Sequence, residues 1–350
     1  MTLDNVDSLE HSGPPDRFVT RLYLWAQLVR IPNTFTAVAD VLAGAAIAGA
    51  LSPAAISQSW PIIAALVLVV VSLYWTGMIW NDLNDVEQDR QQKRNRPLPN
   101  SQISVSAATT AYWLLVTLAF GITVSIAATQ GSWYLPGVEF KNDLWRGFRF
   151  YSPLLITALL ACCARLYNSR WKLSTVGPIL MGMCRSGSLL LGISSGWYVG
   201  SSTVYEVPHG WMAVLGHGLY VAGFTFAGRR EAEENNSLPV AIGWIVSAVG
   251  LIALAFAPWF APNEIPLRMD ALPTYPIVFA LMALPLIRRA WTSIVDPSPK
   301  SIQLAIKQAI FSIIFFDAIL TLQFAGPWPA IAVCSLILPS TLLSKYFRPT

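Results

Sequence analysis

The feature that most constrains this chain is a recurrence. Apolar runs of about 20 residues follow one another along nearly its whole length, separated by short polar connectors. A hydrocarbon layer about 30 Å thick is crossed by about 20 residues rising 1.5 Å each. On that ruler spans fall near 24–50, 60–80, 104–128, 152–167, 175–198, 211–228, 238–260, 274–290, 303–323 and 327–344. Composition agrees: hydrophobic residues are 54% and charged residues 12% of the chain, against about 25% charged in soluble domains. A soluble globule and a disordered chain are both excluded. A net charge of +4 is too thin for a surface that tracks nucleic-acid phosphates. The expected fold is an all-α polytopic membrane protein with nine or ten transmembrane helices. The count stays open because the run 151–167 is short and only Ala325-Gly326-Pro327 separates the last two runs. Residues 1–21 read as a polar tail and 22–350 as one transmembrane domain.

Lys and Arg are retained on the cytoplasmic side near helix ends. With the N-terminus inside, 18 of the 23 basic residues fall in inner segments, four (Lys141, Arg146, Arg149, Arg268) in outer ones, and Arg185 within a span. The expectation is an integral protein of the cell's inner, cytoplasmic membrane with a cytoplasmic N-terminus. Residues 1–17 are polar and lack the apolar stretch of a secretory signal. Cys162, Cys163, Cys184 and Cys334 lie in apolar runs without CxxC spacing, which excludes disulfide scaffolds and cysteine-built zinc sites. His11, His209 and His217 are scattered, which argues against a histidine-built metal or haem site.

Seven of the nineteen acidic residues sit in two short cytoplasmic segments. The first runs Trp80-Asn81-Asp82-Leu83-Asn84-Asp85-Val86-Glu87-Gln88-Asp89 and continues the span 60–80. On a helix, Asn81, Asp85 and Asp89 share a face, with Asp82 one residue around from it. Like charges so placed repel unless a cation neutralises them. Oxygen-only ligands suit a hard ion, and Mg²⁺ held by one or two carboxylates with phosphate oxygens and water fits best. Arg90, Lys93, Arg94 and Arg96 follow, then Pro97-Leu98-Pro99. Carboxylates, a metal and a basic stretch together make a pyrophosphate site.

These residues carry a resemblance. Asn81-Asp82-x-x-Asp85-x-x-x-Asp89 followed by Arg96-Pro97-Leu98-Pro99 resembles the first aspartate-rich motif of the UbiA superfamily of intramembrane prenyltransferases, and Arg30-Ile31-Pro32-Asn33 resembles that family's start. The resemblance implies a helical bundle around a central cavity open to the cytoplasm. It also implies Mg²⁺-dependent cleavage of an isoprenyl diphosphate and transfer of the isoprenyl group to a small-molecule acceptor. In that scheme Asn81, Asp82 and Asp85 hold the metal, Asp89 supports it or orients the acceptor, and Arg94, Arg96 and Lys172 bind phosphate. Asn33 is a further ligand for metal or phosphate, or a helix cap.

The chain departs from the family in two places. A second DxxxD motif is expected after the sixth span, where Arg229-Arg230-Glu231-Ala232-Glu233-Glu234 stands instead. Glu231 and Glu234 could hold a second Mg²⁺, or Arg229 and Arg230 could grip diphosphate directly. A YxxxK motif is expected after the fourth span. Here Tyr167-Asn168-Ser169-Arg170-Trp171-Lys172 sets the lysine one position late, leaving Arg170 or Lys172 as the phosphate cation. With Cys184-Arg185-Ser186-Gly187 and Phe316-Asp317-Ala318, this variant is similar to the EboC-type branch, so the acceptor is not inherited from the quinone or haem branches.

Asp40, Arg185 and Asp317 lie inside apolar runs, where a charge costs at least ~2.5–3.5 kcal/mol, so pairing of Arg185 with Asp40 or Asp317 is expected. Tyr74, Trp75 and Tyr220 are candidates to face an allylic cation. The competing reading is a catalytically altered isoprenoid- or lipid-binding or transport protein on the same scaffold. Partners under either reading are an isoprenyl diphosphate, an acceptor and the lipid bilayer, with no sign of a protein partner.

Overall fold

The structure, a computed structural model, describes residues 17–92, 96–129, 143–172, 174–199, 208–229 and 237–347, with the backbone course alone for 17–19, 143–150, 170 and 197–199. Among the described residues it is all helix. In chain order these are α1 (Arg17–Leu28), α2 (Ile31–Ile47), α3 (Ile56–Gln91), α4 (Val105–Ala128), α5 (Asp143–Leu166), α6 (Val176–Ile193), α7 (Pro208–Gly228), α8 (Ser237–Phe256), α9 (Thr274–Val295), α10 (Pro299–Ala325), α11 (Pro327–Ser335) and α12 (Ile337–Tyr346).

All ten apolar runs are helical. Seven segments are both long and apolar enough to cross a bilayer: α3, α4, α9, α10, Val176–Gly196, Ser237–Phe260 and Pro327–Tyr346, among the described residues. The chain is an integral membrane protein; α2, with 17 residues, is a shorter apolar helix. The expected 24–50 run is split, because Arg30 takes a left-handed conformation (φ 50°) and Pro32 then opens α2. Gly326, at φ 95°, ends α10, and Pro327 starts the next helix. The chain then runs back: Ser340 donates to the Pro32 carbonyl at 2.8 Å and the Tyr23 hydroxyl to the Tyr346 carbonyl at 3.2 Å. The last two runs are therefore separate, antiparallel segments.

Without a hydrophobic drive between helices in lipid, close association depends on small residues and polar contacts. A Cβ on Gly44 would overlap the Leu189 carbonyl, and one on Gly192 the Val41 carbonyl, so α2 and α6 touch backbone to backbone. Gly216 and Gly250 do the same for α7 and α8. Ile277, Leu281, Leu284 and Ile287 of α9 are exposed along one stripe, a face suited to lipid.

Helices α2, α3, α5, α6, α7 and α10 enclose a cavity of ≈ 340 Å³. Val70, Leu73, Leu160, Val221, Phe224 and Ile310 make its walls largely apolar.

Candidate functional site

The acidic segment stands where it does because α3 is too long for the membrane. Its 36 residues span about 54 Å at 1.5 Å each, against a hydrocarbon layer of about 30 Å. The C-terminal turns therefore project from the bundle. Asn81, Asp82 and Asp89 are nonetheless buried, because cations from other segments close over them.

Two stripes result. Asp82 and Asp89 are seven residues apart, almost two turns of 3.6 residues, and so point the same way. Arg96 bridges them, its Nη1 lying 2.7 Å from Asp89 Oδ2 and 3.4 Å from Asp82 Oδ1. Arg30 approaches Asp82 at 3.5 Å. On the adjacent stripe Lys172 Nζ donates to Asn81 Oδ1 at 2.9 Å and to Asp85 Oδ2 at 2.8 Å. Asn81 in turn donates to Asp82 at 3.1 Å, linking the stripes. Asp89 thus lies beneath Arg96 and sets its position.

The displaced lysine has a structural answer. The helical course breaks within Tyr167–Trp171, where Ser169 takes a non-helical conformation (φ −101°, ψ −137°). Beyond this kink Lys172 meets Asp85 at 2.8 Å. Asn84 donates to the Asn168 carbonyl beside the kink at 2.7 Å.

The cavity begins beside this cluster. Arg30, Asn33, Tyr167 and Asn168 line it, as do Tyr74 and, deeper, Arg185. Trp75 and Tyr220 are occupied elsewhere: the Trp75 indole donates to Thr34 at 3.0 Å and the Tyr220 hydroxyl to the Ala309 carbonyl at 2.8 Å. Arg229 ends α7, its guanidinium 5.6 Å from the Phe226 ring, with a buried Nη1 that finds no hydrogen-bond partner among the described residues. Arg94, Arg230, Glu231 and Glu234 lie outside the described residues, as does the Arg170 side chain. Arg30 is a site residue that motif spacing did not single out; its signal was a cation two residues before a helix-opening proline.

For a metal, the mouth offers Asp82 and Asp85 from one helix face. The mouth carboxylates do not form a group of three with ligand atoms within 4.8 Å of one another; among the described residues such a group is formed by Asp40, His217 and Asp317. The two carboxylates, now paired with Arg30, Arg96 and Lys172, are oxygen ligands of the kind Mg²⁺ takes, with its remaining ligands from phosphate and water.

The cluster in the core gathers residues far apart in sequence. Arg185 lies 2.8 Å from Asp40 and donates to Thr36 at 2.5 Å, meeting the first of the two pairings expected for it. His217, which its isolation in the sequence set aside, lies 3.3 Å from Asp40 and 3.7 Å from Asp317.

Comparison with known proteins accords with this geometry. Residues 41–138 match the UbiA prenyltransferase family, a stretch that includes the acidic segment and the Arg96-Pro97-Leu98-Pro99 that follows it. A digeranylgeranylglyceryl phosphate synthase of Methanococcus aeolicus is 31% identical over 106 residues, covering 30% of this chain. The match spans 36% of that relative's length, about a third. A solved structure described as digeranylgeranylglyceryl phosphate synthase in membranes aligns over 90% of this chain and 99% of its own, with a TM-score of 0.55 at 18% identity. That likeness establishes the helical fold, and the segment 41–138 carries the family resemblance that Asn81–Asp89 implied.

Proposed function

We propose that this chain is a membrane prenyltransferase that cleaves an isoprenyl diphosphate with Mg²⁺ and passes the isoprenyl group to a small-molecule acceptor. The observation that carries this reading is the join of a polar mouth to an apolar cavity. Asp82 and Asp85 with Arg30, Arg96 and Lys172 stand beside the opening, and the hydrocarbon-like interior lies behind Arg30 and Asn33.

Diphosphate leaves only when its charge is compensated, and Mg²⁺, when bound, would supply that Lewis acidity. Asp82 and Asp85 would hold the ion, and Lys172, Arg30 and Arg96, now paired with carboxylates, would turn to the phosphate oxygens. The bond between isoprenyl C1 and the diphosphate oxygen breaks, and the electron pair leaves with diphosphate. The apolar cavity keeps bulk water from the allylic cation, and the Tyr74 ring in its wall faces positive charge favourably. The acceptor nucleophile then bonds C1 and releases its proton. In this reading Arg229, next to the cavity-lining Gly228 that ends α7, is a further cation for the diphosphate.

The test is binding and turnover with Asp82→Ala and Asp85→Ala. Wild type should bind a panel of isoprenyl diphosphates in a Mg²⁺-dependent manner and consume one with an acceptor from a cell extract, and each variant should lose at least about 10²-fold in rate. Normal Mg²⁺-dependent binding in both variants would sink the site. Binding by wild type without turnover would favour the lipid-binding alternative.

The mouth faces the cytoplasm in this reading, as the distribution of basic residues requires. A membrane-impermeant thiol reagent should label Gln92→Cys from the cytoplasmic side and Glu264→Cys from the other. Labelling of both from one side would overturn the orientation.

A further inference from the structure

We propose that Asp40, His217 and Asp317 bind a divalent transition-metal ion of the Zn²⁺ type in the core of the bundle, away from the diphosphate mouth. The three residues come from α2, α7 and α10, and each offers one ligand atom within 4.8 Å of the others. All three are fully buried. Among the described residues, Asp40 Oδ1, both imidazole nitrogens of His217 and both carboxylate oxygens of Asp317 find no hydrogen-bond partner.

Arg185 compensates one carboxylate by closing on Asp40 at 2.8 Å, which leaves Asp317 with no cation beside it but a histidine. An uncompensated ion in a low-dielectric interior costs several kcal/mol. The charge is balanced by a proton on Asp317, by a proton on the imidazole, or by a metal ion. A proton shared between charged groups draws them to about 2.5–2.9 Å, as Arg185 has drawn Asp40. The contacts stand open instead: Asp40 Oδ1 lies 3.3 Å from His217 Nε2, and Asp317 Oδ1 lies 3.7 Å from His217 Nδ1. A single ion takes one of the two nitrogens with both carboxylate oxygens, and tetrahedral bonds of about 2.0–2.1 Å would draw three such atoms, now within 4.8 Å of one another, to roughly 3.4 Å apart. One imidazole nitrogen with two carboxylate oxygens is a donor set suited to Zn²⁺ and its neighbours rather than to Mg²⁺. A hydroxide in the open position brings the cluster, with Arg185, to zero charge.

The position gives the ion a task. Gly216 and Gly218 flank His217, and a Cβ at either would meet Gly250 or Ser186, so α7 is packed tightly on both sides. The ion would tie α7 to α2 and α10 behind the cavity wall and hold Asp40 against Arg185, whose side chain lines the cavity.

The test uses the full chain purified in detergent without Mg²⁺, loaded with Co²⁺ or Zn²⁺ and desalted. Wild type and the mouth variant Asp85→Ala should each retain about one ion per chain by elemental analysis, with visible Co²⁺ bands of a four-coordinate N/O site. Asp317→Ala and His217→Ala should retain none. His217→Cys keeps a ligand and should retain Co²⁺ with a new thiolate charge-transfer band, a positive signature that survives if the alanine variants do not fold. Metal should also raise the wild-type melting temperature. The proposal is overturned if wild type retains neither ion, which would leave a proton-sharing cluster. It is equally overturned if folded Asp317→Ala retains the ion, or if His217→Cys shows no change in the Co²⁺ spectrum.

Discussion

The bundle holds two ionic clusters at different depths, built on opposite plans. At the mouth a single helix, α3, supplies Asp82, Asp85 and Asp89, and Arg30, Arg96 and Lys172 close on them from three other segments. In the core four helices supply one charged or titratable side chain each: Asp40, Arg185, His217 and Asp317. The Lys172 and Asp85 side chains are 37% and 22% exposed, whereas Asp40 and Asp317 are 0% exposed. Partly hydrated carboxylates can exchange one cation for another at small cost, because water stabilises them in between. Desolvated ones cannot. The outer edge of the mouth, Asp85 with Lys172, suits exchange of cations, whereas the core, like the buried Asp82 and Asp89, suits charges that stay where they are.

The largest expected effect on stability therefore lies in the core. Asp40→Ala strands the Arg185 guanidinium in an apolar interior and should cost about 3–5 kcal/mol, read as a fall in melting temperature in detergent. Replacing both partners, Asp40→Ala with Arg185→Met, should cost less than the sum of the single changes, because no charge is then left unpaired. Additive single and double costs would remove the distinction between core and mouth.

The two plans also explain what could be read from the sequence. A motif on one helix keeps its spacing in the chain, so Asn81, Asp82, Asp85 and Asp89 announced themselves together. The apolar runs did the same for the helices of the bundle. The core cluster has no such register: Asp317 stands 277 positions after Asp40, and the fold alone joins them. The cost of intramembrane charge nonetheless marked Asp40, Arg185 and Asp317 as members of a pair. His217 carried no such mark, because a neutral imidazole is cheap in an apolar run. The kink at Ser169 was equally hidden, since the sequence showed the lysine late but not the break in the helix that precedes it.

An intermediate effect is expected at Arg96, which belongs to the mouth but is only 13% exposed. Its Nη1 contacts two carboxylates two turns apart, and a lysine ammonium, on a shorter and more flexible stem, does not hold both in the same place. Arg96→Lys should leave one carboxylate without its partner and lose about 1.5–3 kcal/mol of stability. Diphosphate affinity measured by calorimetry in nanodiscs should weaken about tenfold, or 1.4 kcal/mol. Full function in Arg96→Lys would mean that Asp89 plays no part in holding the mouth.

The smallest stability effect should come from Lys172. Its pair with Asp85 is partly solvated, and such pairs contribute about 0–1 kcal/mol, so Lys172→Met should melt within that range of wild type while its diphosphate affinity falls. The same Met substitution at Arg185 should cost several times more, which is the sharpest single comparison between the two clusters. The kink allows a second cut at the same residue. Deleting Ser169 removes the non-helical residue and makes Lys172 the fourth residue after Tyr167. If the kink serves to return the ammonium to Asp85 despite the late spacing, the deletion should preserve binding to within about threefold, a difference of less than 1 kcal/mol. Lys172→Met should then lower affinity equally with or without Ser169. A deletion variant that binds as poorly as Lys172→Met would show that the lysine reaches Asp85 only through the kink, and that the late spacing is a distinct arrangement of the mouth.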